Sequence, residues 1–344
     1  MSYILLGAAV LLLIGCRPFL RDFHDDYISR DQTQCINGFF VLLVFMRHFE
    51  QYIKPAEPDM LYICFSRNMN QLIVVPFLFY SGYGIMLSVQ KKGSGYVCSI
   101  MTKRFPRLLI HFMLAVTLFW ITGICMNRFP PIEKVLLSMI GWDGLGNSNW
   151  YIFDTLILYI FTFIGCIIFR KKPWAAVTSI LLLTIGFMVV MSMFKPRYWY
   201  NTCIAYPLGI AFALVDKSWL ALCKKRLYMY GVLWLGAAVL LTCGYLTKKN
   251  IFGFEVLVIG FILMMLAVTM KLKTGNPVLR FLGKYVFEIY ILQRIPMLIF
   301  KGVLPDNYLY MGICFAITIA AAVLFRLLTD RLDTIPSLLM KKLS

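Results

Sequence analysis

The chain has 344 residues, of which 60% are hydrophobic and only 15% charged, and its formal net charge is +18. Soluble domains carry about 25% charged residues, so a deficit spread over the whole length excludes a globular domain with one anchor and points to a polytopic membrane protein. The basic residues sit in short loops between apolar runs, which excludes nucleic acid as a partner and fits positive-inside topology, while the ten cysteines lack CxxC or Cys/His spacing, so neither metal nor disulfide scaffold is expected.

In chain order, eleven segments are apolar enough to read as spans of about 20 residues: 1–17, 36–53, 72–90, 108–126, 150–169, 174–192, 199–216, 228–246, 252–270, 279–299 and 308–328. The expected fold is therefore an all-α polytopic bundle forming one membrane domain over 1–344. Met1 to Cys16 has the core of a signal peptide without a positive n-region or convincing cleavage site, and reads as an uncleaved first span. Pro76, Pro207 and Pro296 lie within spans and should kink them or loosen their ends. Lys and Arg concentrate in 17–35, 91–107, 170–173, 217–227, 271–278 and the C-terminal tail. The alternate loops hold fewer, among them Lys54, Arg67, Arg128, Lys134, Lys195, Arg197, Lys248, Lys249 and Lys301. That alternation predicts an N-terminus outside and a cytoplasmic C-terminus, which requires an odd number of spans.

Polar residues inside the spans carry the functional signal, because they are costly there unless paired, wetted or used. In NGFFVLLVFMRHFEQY at 37–52, His48 lies in the outer half of its span. Helical spacing puts Val44, His48 and Tyr52 on one face and turns Arg47 and Glu50 elsewhere. Histidine is the side chain best suited to exchange protons near neutral pH; the bland alternative is a hydrogen-bonded ring at a helix end. In FLFYSGYGIMLS, Ser81, Gly82 and Gly84 permit close helix approach or space for a ligand. Arg104 and Arg107 in TKRFPRLLIHF share a face at the cytoplasmic mouth, as a positive-inside anchor or as phosphate ligands. Asp154 follows Trp150 and Tyr151 into an apolar run, and LGKYVFEIYILQRIP carries Glu288, Gln293 and Arg294. A transporter could use the same polar interior.

The order of these motifs resembles the acyltransferase-3 family of integral membrane acyltransferases. GFFVLLVFMRH is similar to its glycine, apolar run and histidine; FLFYSGYGI, RFPRLL, NWYIFDTLILY and FLGKYVFEIYILQ resemble the elements that follow, over roughly residues 30 to 330. The resemblance implies an acyltransferase-3-like core at 31–330, preceded by an extra span and linker at 1–30. It also implies a bacterial cytoplasmic membrane enzyme moving acetyl or short acyl groups from cytoplasmic acyl-CoA to hydroxyls of extracytoplasmic sugars, polysaccharides or envelope molecules. Two positions depart from the family pattern: Asn37 stands where Arg or Lys is usual, and Gln293 where a histidine is frequent. These departures keep a non-catalytic homologue in view, beside a transporter or flippase.

Under this reading His48 is the general base, with Asp154 or Glu288 as candidates to orient it. Arg104 and Arg107 would hold donor phosphates, and Asn37, Ser81, Gly82 and Tyr83 would shape the donor site. Glu50, Trp150 and Gln293 would meet the acceptor. The expected partners are the lipid bilayer, the acyl-CoA and a glycan or small hydroxyl acceptor, with no metal; homo-oligomerisation stays open, because buried and exposed helix faces are not separable in sequence.

Overall fold

The computed structural model describes residues 1–53 and 59–343, with side chains as far as Thr334; Lys54 and the side chains of the basic tail at 341–342 lie outside the described residues. Helix α1 (Ser2–Leu13) leads into a linker whose strand β1 (Arg17–Pro18) pairs antiparallel with β2 (Leu272–Lys273). Helix α2 (Arg30–Phe49) begins where the Ser29 side chain accepts from the Gln32 amide. There follow α3 (Met60–Met69), α4 (Val75–Lys92), α5 (Ser94–Ser99), a π turn at Ile100–Arg104 and α6 (Phe105–Cys125). Helices α7 (Ile132–Met139), α8 (Trp150–Ile168), α9 (Pro173–Phe194), α10 (Ala205–Phe212) and α11 (Asp216–Lys225) continue the chain. Helices α12 (Leu227–Thr247) and α13 (Ile251–Lys271) form an antiparallel pair. The last elements are α14 (Pro277–Lys284), α15 (Val286–Leu292), α16 (Arg294–Ile299) and α17 (Asn307–Leu343).

Among the described residues, seven helical stretches are long and apolar enough to cross a membrane: 60–92, 94–125, α8, α9, α12, α13 and 307–334; the pair α10 and α11, bent by 67°, makes an eighth if taken as one. The other expected spans take different forms. Segment 1–17 yields a helix of 12 residues, too short for a bilayer core at 1.5 Å per residue. Segment 36–53 falls mostly in the 20-residue α2 and ends in a 3-10 turn at Glu50–Tyr52; the polar ends of α2 (Gln32, Gln34 and Asn37; Arg47 and His48) set it apart from the seven. Segment 279–299 is broken into three short helices. The prolines mark several of these breaks. Pro76, Pro207 and Pro296 each fall in the first turn of a helix, where the missing N–H has no intrahelical partner to lose. Segment 91–107, expected as a loop, is helical beyond Gly93, whose φ of +65° makes the only turn there among the described residues.

Exposed apolar faces, such as Leu182, Val189 and Met193 on α9 or Val232, Leu235 and Val239 on α12, suit a lipid surround rather than water. Inside, two reciprocal pairs of glycines set the helix spacing. A Cβ on Gly38 of α2 would lie 1.8 Å from Leu279 O, and one on Gly283 of α14 would lie 1.8 Å from Gln34 O. Gly82 of α4 and Gly209 of α10 approach Tyr206 O and Phe79 O in the same way, at 2.2 and 2.0 Å. Backbones touch at these points, so only glycine fits. The start of α14 is pinned as well: the Asn276 side chain accepts from Val278 N and Leu279 N and donates to Leu11 O. Gln32 donates to Leu272 O and accepts from Thr274.

Candidate active site

Helix α2 ends in a cavity of about 830 Å³, and His48 is part of its wall. The other walls come from the last turn of α3 and the segment after it, the 147–150 turn into α8, the 196–201 segment, the α12–α13 turn and the α15–α16 break. Locking α2 to α14 through Gly38 and Gly283 fixes the last turn of α2 against α15 and α16, which continue from α14. The His48 ring lies 6.0 Å from that of Tyr290.

His48 is 9% exposed, and its Nε2 sits 3.4 Å from Ser148 Oγ. Ser148 Oγ also accepts from Arg294 Nε at 3.0 Å, while Arg294 Nη2 donates to Gln51 Oε1 at 2.8 Å. One guanidinium thus ties α16, the 148 turn and the end of α2 together. The turn is itself braced: Asn149 Nδ2 donates to Gly141 O and Asp143 O, and Asn147 Oδ1 accepts from Leu145 N. Gly141 and Gly146 adopt φ of +84° and +100°, conformations that favour glycine. His48 Nδ1 and Tyr290 Oη are buried with no hydrogen-bond partner among the described residues.

A second cavity of about 330 Å³ is lined by Arg104, Arg107, His111, Lys284, Glu288 and Arg326, among others. It opens at the other end of the bundle. Helix α4 starts beside Val74 in the first cavity and rises about 27 Å over its length; Lys92 at its far end and Arg104 both approach the Tyr96 ring, at 5.7 and 5.5 Å. The two cavities converge on α15, where Glu288 lines the smaller and Tyr290, two residues on, lines the larger.

Of the sequence candidates, His48 and Trp150 line the larger cavity and Arg104, Arg107 and Glu288 the smaller. Neither Asp154 nor Glu288 contacts the His48 ring; the contact falls to Ser148. Asp154 is wholly buried, with both carboxylate oxygens lacking a hydrogen-bond partner among the described residues, and Glu288 lies 4.0 Å from Arg326. Glu50 pairs with Arg47 at 2.8 Å and accepts from Tyr62 and Ser66. Arg47, expected to turn away from His48, lies along the same cavity. Gln293 is buried and donates to Tyr290 O. Asn37 sits eleven residues before His48 with its Oδ1 buried and unpartnered among the described residues. Ser81, Gly82 and Tyr83 lie along α4 outside both cavities; Gly82 meets α10, and the Tyr83 hydroxyl donates to Asp216 Oδ2 at 2.5 Å.

Sequence reasoning missed Ser148, Gln51 and Tyr290, and gave Arg294 no role. The available signals were the polar triplet Asn147–Ser148–Asn149 directly before Trp150, and an arginine following the Glu288 run.

The fold is thus a helix bundle of membrane type with one polar cavity bearing His48 and a second bearing Arg104, Arg107 and Glu288. The chain matches the model of the acyltransferase-3 family, described as an acyltransferase domain, over residues 34–327, and it belongs to that family of membrane acyltransferases. No curated protein and no solved structure matches it.

Proposed function

We propose that the chain transfers an acetyl or other short acyl group from a cytoplasmic acyl-CoA, entering the smaller cavity, to a hydroxyl of an extracytoplasmic sugar, polysaccharide or envelope molecule in the larger one. The observation that carries this reading is the placement of His48, buried on the wall of a large polar cavity and held through Ser148 by Arg294. The convergence of the two cavities on α15 supports a donor and an acceptor approaching from opposite ends. The loop charges support a multi-pass placement in a bacterial cytoplasmic membrane, with the N-terminus outside, the C-terminus inside and the larger cavity facing out.

In the tautomer a base requires, Nε2–H donates to Ser148 Oγ and the Nδ1 lone pair is free. His48 takes the acceptor hydroxyl's proton as its oxygen attacks the thioester carbonyl. The new C–O bond forms, the C–S bond breaks, and the imidazolium returns its proton to the departing CoA thiolate. Arg104 and Lys284 are the cations available to donor phosphates in the smaller cavity, since Arg107 is held by Asp330 and Asp333 at 3.1 and 2.7 Å.

The test is acyl transfer by purified protein supplied with radiolabelled acetyl-CoA and envelope extract. His48→Ala should insert and fold normally yet lose about 10²- to 10⁴-fold in turnover. Undiminished turnover in that variant removes His48 as base. Movement of an envelope molecule across vesicles, with neither covalent product nor thioester hydrolysis, favours a transporter instead.

A further inference from the structure

We propose that the acceptor is an anionic glycan, one whose repeating units carry phosphate or carboxylate groups beside the hydroxyl that receives the acyl group; this rests on the transfer reading above. The larger cavity is lined by Arg47, Arg67, Arg197, Lys248, Lys249 and Arg294, and by no aspartate or glutamate among the described residues. Of these six, only Arg47 forms an ion pair within the described residues, with Glu50. Arg197 donates to the carbonyls of residues 248–250, Lys248 to Asn68 Oδ1 and Arg294 to Ser148 and Gln51. Those hydrogen-bond partners are all neutral; Glu50 beside Arg47 and the buried Glu255 near Arg197 offset two of the charges, so the six cations outnumber the carboxylates that the described residues set against them.

Positive-inside topology does not account for this cluster. Arg67, Arg197, Lys248 and Lys249 fall in the segments opposite the basic set, yet they come to one cavity from three separate places: the last turn of α3, the 196–201 segment and the α12–α13 turn. Nor is it a general consequence of a basic chain. In the smaller cavity Arg107 is held by Asp330 and Asp333, and Arg326 lies 3.8 Å from Asp330 and 4.0 Å from Glu288. Cations converging on a partly enclosed site repel one another, and a polyanion entering it offsets that repulsion and is drawn in from a distance. The rest of the lining suits a sugar: Asn68, Asn70, Gln71 and Asn201 offer amides to hydroxyls, and Trp150 and Tyr198 offer flat apolar faces.

The experiment measures binding of three fluorescent polymers to the full chain in nanodiscs: poly(glycerol phosphate), polygalacturonate and neutral dextran. The polyanions should bind, dextran should not, and raising salt from about 50 to about 500 mM should weaken binding about tenfold or more. The triple variant Arg67→Gln, Lys248→Gln, Lys249→Gln should weaken it to a similar extent; these side chains hold no carboxylate among the described residues, and the salt series on the unaltered protein tests the same point without any substitution. Binding of poly(glycerol phosphate) alone assigns phosphate as the anion, and of polygalacturonate alone assigns carboxylate. Dextran binding as tightly as the polyanions overturns the proposal, as does a salt-insensitive affinity. Displacement of the polyanion by free CoA also overturns it, by giving these cations to the donor. Acetyl transfer to dextran but to neither polyanion refutes the acceptor class and leaves the transfer reading standing. Salt-sensitive polyanion binding without transfer to any acceptor does the reverse, upholding the anion site while removing the transfer reading.

Discussion

Ser148 Oγ and His48 Nε2, one hundred residues apart in sequence, lie 3.4 Å apart, and the same oxygen accepts from Arg294. Serine here occupies the place a carboxylate often takes beside a catalytic imidazole. It fixes the ring without adding a negative charge to a cavity walled by cations. Ser148→Ala should therefore lower kcat about tenfold or more at nearly constant donor KM, and Ser148→Thr, which keeps the hydroxyl, should recover most of the loss. Steady-state kinetics of the two variants decide the matter; equal losses in both would make Ser148 a packing residue.

The glycines of FLFYSGYGI differ sharply in surroundings. A methyl at Gly82 meets Tyr206 O at 2.2 Å, whereas one at Gly84 finds nothing within 4 Å. Gly82→Ala should cost about 1–3 kcal/mol by forcing α4 and α10 apart, and Gly84→Ala should be neutral or slightly stabilising. Thermal unfolding in detergent measures both; equal midpoints would mean the helices separate freely.

At the smaller cavity the ion pairs set the sign of the outcome. Arg104→Ala with Arg107→Ala should raise the donor KM. Asp330→Asn with Asp333→Asn frees the Arg107 guanidinium and should lower it. Donor titrations that give the same KM for both double variants would return these arginines to topology alone.

The 17–29 linker carries its own pH dependence. Burial, aided by the Lys273 ammonium and opposed by Asp26, holds the His24 imidazole below its ordinary value, so the folded chain takes up that proton less readily than the unfolded one. The docked linker keeps its full stability above about pH 6.5 and loses it as the pH falls below that value. Amide exchange across 17–29, corrected for intrinsic rate, should rise between about pH 7.5 and 5.5 in the native protein. It should stay flat in His24→Phe, and a rise unchanged in that variant would assign the effect to another group.

Much of the helical content was legible because hydropathy is additive along the chain: the long apolar runs at α8, α9, α12 and α13 emerge within a few residues of their expected limits. The breaks were less so. The 279–299 run reads as one span, yet it turns at Tyr285 and Gln293 so that α14 can lie against α2 while Tyr290 of α15 meets His48 and Arg294 of α16 meets Ser148. A sliding average cannot see a backbone contact such as Gly38 against Leu279 O. The loops expected at 91–107 and 217–227 proved largely helical, since basic residues mark membrane edges without ending helices.

By itself the sequence determined a multi-pass helical membrane protein and its family likeness, and it singled out His48 as a candidate, because composition, motif order and residue type are properties of the chain alone. Tertiary structure decided that Ser148 rather than Asp154 or Glu288 reaches that histidine, and that cations scattered from Arg47 to Arg294 face one cavity. Those outcomes depend on ångström-scale distances between residues remote in sequence, and such distances follow from how closely the glycine-paired helices approach.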